Sequence, residues 1–200
     1  MLEWYAKVKV RMENSYRVFD ELLPRQGRIL DVGCGYGFMT NLLALTAKTR
    51  TVRGLDFDEN KTAVAGHGYV NGPNVAFAPG DALAAEFGPQ EAIILSDVLH
   101  YLQPDGQQAL LQKCADSLTA NGVLVVRDGF TELAARHRGT ELTEWFSTRF
   151  CKFNKTAAGG LSFLSQNVIT DFAARNGFDV RMLDQTRYTS NLIFVCTKRG

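Results

Sequence analysis

The sequence lacks closely spaced cysteines, an excess of charge of either sign and long apolar runs. Its four cysteines, Cys34, Cys114, Cys151 and Cys196, lie far apart, so we expect neither a disulfide framework nor a zinc site. A formal net charge of +1 gives no basis for binding nucleic acid through an overall basic surface. The chain shows no signal peptide and no apolar stretch long enough to cross a bilayer. These absences together favour a cytoplasmic protein with reduced thiols.

The rest of the composition is that of an ordinary globular protein. Of the 200 residues, 46% are hydrophobic and 22% are charged, which is typical of a folded domain. A chain of this length can bury a sizeable core, and we expect one α/β domain over residues 1–200. The sequence has no internal repeat and no H-x-x-E, H-E-x-x-H or clustered acid motif, so no metal is predicted.

A glycine-rich turn near the start of the chain is its most informative feature. Three glycines follow the apolar run Ile29–Val32 at alternate positions, and helical periodicity resumes at Phe38. This order predicts a strand, a tight turn and a helix. Glycine allows a ligand to lie against the backbone, and the helix start suits an anionic group such as a carboxylate. The spacing differs from the dinucleotide pattern G-x-G-x-x-G, and the preceding Asp31 suits a ligand with a cationic amine or sulfonium.

The next two predicted strands are also followed by acidic residues. The strand Thr51–Asp56 ends about 20 residues after the glycine turn, where an acid of a doubly wound fold can bind ribose hydroxyls. Asp58 is interpreted as the cap of the helix that follows. The short strand Asn74–Ala78 precedes Asp81, which could accept a hydrogen bond from an adenine amino group or cap a turn, and the two roles are compatible.

The fourth strand, Glu91–Asp97, is almost uninterrupted in its apolar character, as a strand buried on both faces requires. Its carboxyl end, with His100 and Tyr101 just beyond, should therefore line the crevice where open α/β sheets bind ligands. A fifth strand follows over Val123–Asp128. Alternation of strands and helices predicts a parallel sheet with right-handed crossovers. Near the C-terminus two strands, Phe178–Leu183 and Leu192–Cys196, are joined by a short connection and should pair antiparallel.

Two stretches depart from this alternation. Residues 1–24 have the pattern of an amphipathic helix that either packs over the sheet edge or forms a lid through Trp4, Tyr5 or Tyr16. Residues 129–164 form an insertion in which basic and aromatic side chains are interleaved. Because it follows the fifth strand, it should overhang the crevice. One interpretation of this insertion is a solvated helix pair that packs its aromatic side chains on the core. The other is a substrate lid or a docking face for an anionic partner.

The string D-x-G-x-G-x-G that begins at Asp31 resembles motif I of the class I S-adenosylmethionine-dependent methyltransferases, and the resemblance extends over roughly residues 28–130. It implies a Rossmann-like α/β fold with a mostly parallel seven-stranded sheet, a C-terminal antiparallel hairpin strand and helices on both faces. It also implies S-adenosylmethionine as the cofactor. The residues assigned to the cofactor are Asp31, Gly33, Cys34, Gly35, Asp56, Phe57, Asp81, Ala82, Ser96 and Asp97.

Four longer strings, Ile94–Leu102, Arg127–Gly129, Phe150–Thr156 and Gly160–Phe163, are similar to a narrower group. This group is the methyltransferase domain of bacterial fusion proteins that also carry an MMPL-type transporter and a lysophospholipid acyltransferase-like domain. The resemblance implies an aromatic or lipid-like acceptor of the aryl-polyene or flexirubin type, free or carried on an acyl carrier protein. An acidic carrier would suit the basic insertion. The chain would then be a stand-alone version or one domain of a larger protein.

Methyl transfer needs a base only where the acceptor must lose a proton, as a phenol does. His100 is the first candidate for this base, and Asp128 could orient or replace it. The alternative for His100 is packing against the cofactor or holding the turn. Residues assigned to the substrate are Tyr101, Arg136, His137 and Trp145.

Other function classes are less well supported by the sequence. The end of the fourth strand reads Ser96-Asp97-Val98-Leu99, which differs from the [DNS]-P-P-[YF] pattern that holds a flipped base. A protein methyltransferase stays open, although no acidic arginine-binding loop is visible. A non-catalytic domain that binds S-adenosylmethionine or a partner is the main alternative. A nicotinamide oxidoreductase is disfavoured by Asp31 and by the C-terminal hairpin.

Overall fold

A computed structural model describes residues 15–67, 72–134, 162–184 and 191–200. The strands within these ranges are β1 (Gly27–Val32), β2 (Arg50–Asp56), β3 (Val75–Pro79), β4 (Gln90–Ser96), β5 (Leu118–Gly129), β6 (Phe178–Leu183) and β7 (Asn191–Lys198). The helices are α1 (Ser15–Leu22), α2 (Phe38–Thr46), α3 (Glu59–Gly66), α4 (Pro104–Ser117), α5 (Thr131–Ala134) and α6 (Gln166–Arg175), and a short 3-10 helix covers Leu99–Tyr101. Within these ranges, each helix is too short or too polar to cross a membrane.

The seven strands form one sheet in the order β3-β2-β1-β4-β5-β7-β6. The first five are mutually parallel, whereas β7 runs antiparallel to both β5 and β6. This arrangement confirms the predicted mostly parallel sheet with a C-terminal antiparallel hairpin. In the register, Val32 lies beside Leu55 and Leu95, and Leu95 lies beside Val126. The carboxyl ends of four strands are therefore level, and the residues that follow them line one edge of the sheet.

The sheet buries apolar side chains on both faces, as the alternating direction of successive side chains in a strand requires. On one face Leu30, Ile93 and Leu124 join residues of α4 and α6 in a buried cluster. On the other face Ile29 and Ile94 pack with residues of α1 and α2. The prediction of helices on both faces is confirmed. The apolar run of β4 is explained by its central position, because both of its faces are covered.

Only the last part of the predicted N-terminal helix lies in the described residues. There Phe19 is fully buried, and Tyr16 packs against the same cluster. Arg50, also fully buried, holds this helix to the sheet through an ion pair with Asp20 and a hydrogen bond to the carbonyl oxygen of Pro24. This end of the helix therefore packs on the core. The proposed lid residues Trp4 and Tyr5 lie outside the described residues.

Two boundaries differ from the sequence predictions. β5 begins at Leu118 and runs through the Asn121-Gly122 pair, which precedes the predicted start of the strand at Val123. Asn121 takes a φ of 61°, which asparagine tolerates better than most residues, and the pairing with β4 shifts register near Gln90. The strand is thus irregular rather than interrupted, and its predicted start at Val123 is wrong.

The insertion is also shorter than residues 129–164. Gly129 is the last residue of β5, Phe130 pairs with Leu164, and Thr131 N donates to Leu164 O at 2.9 Å. Glu132 of α5 accepts a hydrogen bond from Ser165 Oγ at 2.6 Å, next to the start of α6. Both ends of the insertion are therefore anchored beside the carboxyl end of β5, and residues 135–161 lie outside the described residues.

Candidate active site at the carboxyl edge of the sheet

The glycine turn between β1 and α2 is tied to the end of β2. The N–H groups of Gly33 and Cys34 both donate to Leu55 O, at 2.7 and 3.1 Å. Gly33 has a φ of 75°, and a Cβ there would collide with Val98, so glycine is required. Gly35 has a φ of 54°, and a Cβ added there would meet no atom within 4 Å. The turn thus presents open space above the sheet edge, as a ligand against the backbone needs.

Asp56, at the end of β2, is positioned by this turn. Its Oδ2 accepts from Gly35 N at 2.7 Å, and its Oδ1 accepts from Asp58 N at 2.9 Å. Each carboxylate oxygen has two acceptor positions, so each keeps one for a hydroxyl of a ribose. The adjacent Phe57 is 70% exposed and offers a ring face beside this acid. Both positions are compatible with cofactor binding, which stays a prediction for these residues.

Asp31 and Cys34 are placed less favourably for direct contact with a ligand. Asp31 is 3% exposed and accepts from Thr40 Oγ1 at 2.6 Å, which ties β1 to α2. Burial, followed by the charges of Asp31 and Asp56, raises the pKa of the Cys34 thiol far above its ordinary value. A thiol in this state is not a nucleophile at neutral pH. Asp31 and Cys34 therefore help to hold the glycine turn, and direct contact of either residue with the cofactor stays a prediction.

The loop after β3 carries the exposed Asp81 and is held in place by hydrogen bonds from a lysine of α4. Asp81 accepts a hydrogen bond from Leu83 N at 2.9 Å, so it caps the local turn. Capping was one of the two roles predicted for this residue, beside a hydrogen bond to an adenine amino group. Lys113, on α4, donates to Ala82 O and Leu83 O at 3.2 and 2.8 Å. The position of Ala82, assigned to the cofactor, is therefore fixed by a lysine that the sequence did not single out.

At the end of β4, Asp97 is held by three side chains. It forms an ion pair with Arg127 of β5, accepts from Asn191 Nδ2 at 3.0 Å and accepts from Ser96 Oγ at 3.3 Å. Its φ of 58° is unusual for a residue other than glycine and is fixed by these contacts. Asp97 thus connects β4, β5 and β7 at the crevice, and its side chain keeps 24% exposure. Cofactor binding by Ser96 and Asp97 stays a prediction.

His100 and Asp128, the two predicted catalytic residues, are in direct contact. His100 Nδ1 lies 2.6 Å from Asp128 Oδ1. The Asp128 carboxylate is completely buried and also accepts from Leu99 N at 2.9 Å and from Gly129 N at 2.8 Å. Since the carboxylate is acceptor-only, Nδ1 donates to it, and a neutral ring keeps Nε2 as a proton acceptor. Asp128 therefore orients the imidazole, as a carboxylate does in a catalytic triad.

The surroundings of His100 also set its protonation. Burial alone would lower the pKa of His100, but the hydrogen bond and charge of Asp128, with the charge of Asp97, raise it above its ordinary value of 6.5. The imidazole lies 4.1 Å from the ring of Tyr101 and stacks on Phe163 at 5.9 Å, measured between ring centroids. Phe163 is 49% exposed. An aromatic surface therefore adjoins the proposed base.

The other substrate residues predicted from the sequence, Arg136, His137 and Trp145, lie outside the described residues. Several residues of the site were missed by sequence reasoning, because each acts through a contact with a distant part of the chain. They are Gln107, Lys113, Arg127, Phe163 and Asn191. Among the residues that the structure describes, no group of three or more His, Cys, Asp or Glu side chains could hold a metal ion.

The strand order, the glycine turn and the acids at the strand ends define the class I methyltransferase fold. Residues 29–122 match the family model described as a methyltransferase domain. The chain is 30% identical over 107 residues to a ubiquinone biosynthesis O-methyltransferase of Caulobacter sp. (strain K31), with 52% of this chain and 41% of the relative covered. It is 28% identical over 109 residues to a carboxy-S-adenosyl-L-methionine synthase of Wolinella succinogenes, covering 52% of this chain and 45% of the relative.

Among solved structures, magnesium protoporphyrin IX methyltransferase from Synechocystis PCC 6803 with bound S-adenosylhomocysteine superimposes with a TM-score of 0.66. The identity is 19%, and the alignment covers 92% of this chain and 79% of that one. The chain spans less than half the length of the curated relatives it matches. Taken together, the comparisons support the class I methyltransferase fold, with S-adenosylmethionine as the cofactor. The open space at Gly35 and the remaining acceptor positions of Asp56 fit this molecule.

Substitution of Gly35 by alanine tests whether the cofactor lies against the turn. We expect Gly35→Ala to weaken S-adenosylhomocysteine binding at least about tenfold, because its methyl group would enter space that the ligand takes. Gly177→Ala is a matched control, since Gly177 also has a positive φ (68°) and open space but lies between α6 and β6. Both variants should lose about 1–2 kcal/mol of stability from backbone strain. Equal affinities in calorimetry would place the ligand elsewhere.

Proposed function

We propose that the protein transfers a methyl group from S-adenosylmethionine to a hydroxyl group of a small molecule, with His100 as general base. The observation that carries this proposal is the 2.6 Å contact between His100 Nδ1 and the buried carboxylate of Asp128. A base is needed only for an acceptor that carries a proton, and an oriented imidazole is the side chain best suited to remove it near neutral pH.

In the proposed step, Nε2 of His100 takes the proton of the acceptor hydroxyl while Asp128 stabilises the imidazolium that forms. The cofactor, when bound, supplies a methyl group on a cationic sulfur: the oxygen–carbon bond forms as the carbon–sulfur bond breaks, and the electron pair leaves on sulfur. Gly33, Gly35 and Asp56 would hold the donor at the sheet edge. Because such a displacement depends on alignment, positioning of the two reactants can supply about 7–11 kcal/mol of the barrier reduction.

We further propose an aromatic or lipid-like acceptor, free or bound to an acyl carrier protein. The aromatic surface of Tyr101 and Phe163 beside His100 supports this class, since a flat ring can stack there with its hydroxyl directed at the base. Fusion to transporter and acyltransferase domains, and an acceptor of the aryl-polyene or flexirubin type, rest on the sequence resemblance alone and belong to the same proposal.

The test is transfer of a labelled methyl group from S-adenosylmethionine to hydroxylated aromatic acids, supplied free and as thioesters of an acyl carrier protein. The same acids without the hydroxyl are the matched control acceptors. Organic-soluble and acid-precipitable label are counted separately, and S-adenosylhomocysteine is quantified by mass spectrometry. We expect label only with the hydroxylated acceptors and an equal amount of S-adenosylhomocysteine.

Each other outcome identifies a different function. Precipitated label that survives thioester cleavage would indicate a protein methyltransferase. Cofactor binding without any transfer, also in extract of the source cells, would favour a non-catalytic binding domain. A carboxylated cofactor in the product would indicate the activity that the name of the Wolinella relative describes. Any of these three results would contradict the proposal.

A further inference from the structure

Gln107 is a buried polar side chain on α4 that makes an unusual set of contacts. The residue is 3% exposed. Its Nε2 donates to three backbone oxygens: Leu99 O at 3.2 Å, Leu102 O at 3.0 Å and Ser162 O at 2.7 Å. The first two oxygens belong to the first residue of the 3-10 helix that carries His100 and to the residue just after that helix, whereas the third lies 55 residues away in sequence from Gln107. The Gln107 amide therefore joins the turn that carries His100 to the chain at Ser162, which returns from the insertion to the sheet.

The returning chain also contacts the His100 turn directly. Ser162 N donates to His100 O at 2.8 Å, so the peptide groups around Ser162 bind both His100 and Gln107. The next residue, Phe163, carries the ring that stacks on the imidazole. On the opposite side, Asp128 accepts from Leu99 N and from the imidazole. The turn is thus fixed through its carbonyl groups by Gln107 and Ser162 and through its N–H groups by Asp128.

We infer that Gln107 is a positioning residue for methyl transfer: it holds the His100 turn and the Phe163 segment in one arrangement, so that the imidazole stays aligned with Asp128 and the acceptor. This role rests on the proposed function, because it assigns Gln107 to the geometry of the proposed base. The hydrogen bonds of Gln107 go to backbone oxygens, whereas the His100 ring is bound by Asp128, so Gln107 acts on the base through the turn. Breaking the hydrogen bonds of a buried amide costs free energy, because its donors are then left unpaired away from water. The contacts of Gln107 are therefore expected to be fixed.

The test compares Gln107→Met, which keeps the length of the side chain but removes its donors, with Gln108→Met at the adjacent exposed position. We expect Gln107→Met to lower kcat about 10- to 100-fold, because small misplacements of a reacting group have effects of this size. S-adenosylhomocysteine affinity should change less than about twofold, since Leu99, Leu102 and Ser162, to which Gln107 donates, are not among the residues assigned to the cofactor. Gln108→Met should match the wild-type protein in both measurements.

A second readout separates positioning from general loss of stability. The pKa of His100, followed by NMR of its imidazole, should fall in Gln107→Met because the pairing of the imidazole with Asp128 loosens, while Asp97 remains as the other nearby charge.

The variant Gln107→Asn keeps the amide on a shorter side chain, so it should give intermediate kcat and pKa values. It is the variant to use if Gln107→Met does not fold. Unchanged kcat and unchanged His100 pKa in either folded variant would overturn the inference. The NMR titration needs no turnover, so a wild-type protein inactive on every acceptor would contradict the proposed function and leave this test valid.

Discussion

Replacement of His100 by glutamine is expected to lower kcat by about 10²- to 10⁴-fold, the contribution usual for a positioned general base. S-adenosylhomocysteine affinity should stay close to that of the wild-type protein, because the ring of His100 is hydrogen-bonded to Asp128 and neither residue is assigned to the cofactor. The measurements are steady-state kinetics with a hydroxylated acceptor and calorimetry with S-adenosylhomocysteine. His67→Gln is the matched control, since His67 is exposed at the end of α3 and should contribute nothing to turnover.

If His100 is the base, kcat and the free energy of unfolding should change with pH in opposite directions. The folded pKa of His100 is raised above its ordinary value of 6.5, so the base form is populated only above that raised value, and kcat should increase as the pH rises through it. Stability should change in the opposite direction. The folded protein binds the His100 proton more tightly than the unfolded chain does, so this stabilisation is complete below pH 6.5 and is lost as the pH rises through the folded pKa.

His100→Gln should remove both trends at once. Its unfolding free energy should no longer decline through this pH window, and its residual activity should lose the corresponding rise. A wild-type kcat in His100→Gln would show that positioning alone, or another base, is sufficient. Retained activity together with a lost stability trend would assign His100 to the structure of the turn and not to the chemistry.

Substitution of Asp56 by asparagine is expected to weaken S-adenosylhomocysteine binding by roughly 10- to 100-fold. Hydrogen bonds to a charged group contribute about 1.5–3 kcal/mol, and the amide loses the charge and one of the two acceptor oxygens. Asparagine keeps the shape and one oxygen for a backbone donor, so the variant should fold. Calorimetry gives the affinity, and thermal unfolding without ligand gives the change in stability.

Asp58→Ala is the matched control for this acid. Asp58 lies two residues further along, and its side chain accepts from Asn60 N as the cap of α3. Removing the cap should cost about 1 kcal/mol of stability and leave the affinity unchanged. If the two variants lose the same affinity, or if Asp56→Asn binds like the wild-type protein, Asp56 does not bind the ribose.

The local elements of this protein were readable from the sequence because each leaves a pattern among neighbouring residues. The glycine turn after β1, the cap at Asp58, the buried run of β4 and the C-terminal hairpin were all predicted and are present. The level carboxyl ends of the strands follow from parallel topology, so the sequence also predicted that Asp56, Asp97 and His100 would line one edge.

What the tertiary structure alone decided are the contacts between distant parts of the chain. The sequence shows Asp97, Arg127 and Asn191 on three strands, but only the packing order of β4, β5 and β7 brings them together. Likewise, Gln107 is an ordinary helical residue in the sequence, and Ser162 lies far beyond it. Periodicity reports which face of an element is buried, whereas register and crossovers determine which side chains meet. The sequence by itself therefore determined the fold class and the edge that carries the site, and the folded arrangement determined how His100 is held there.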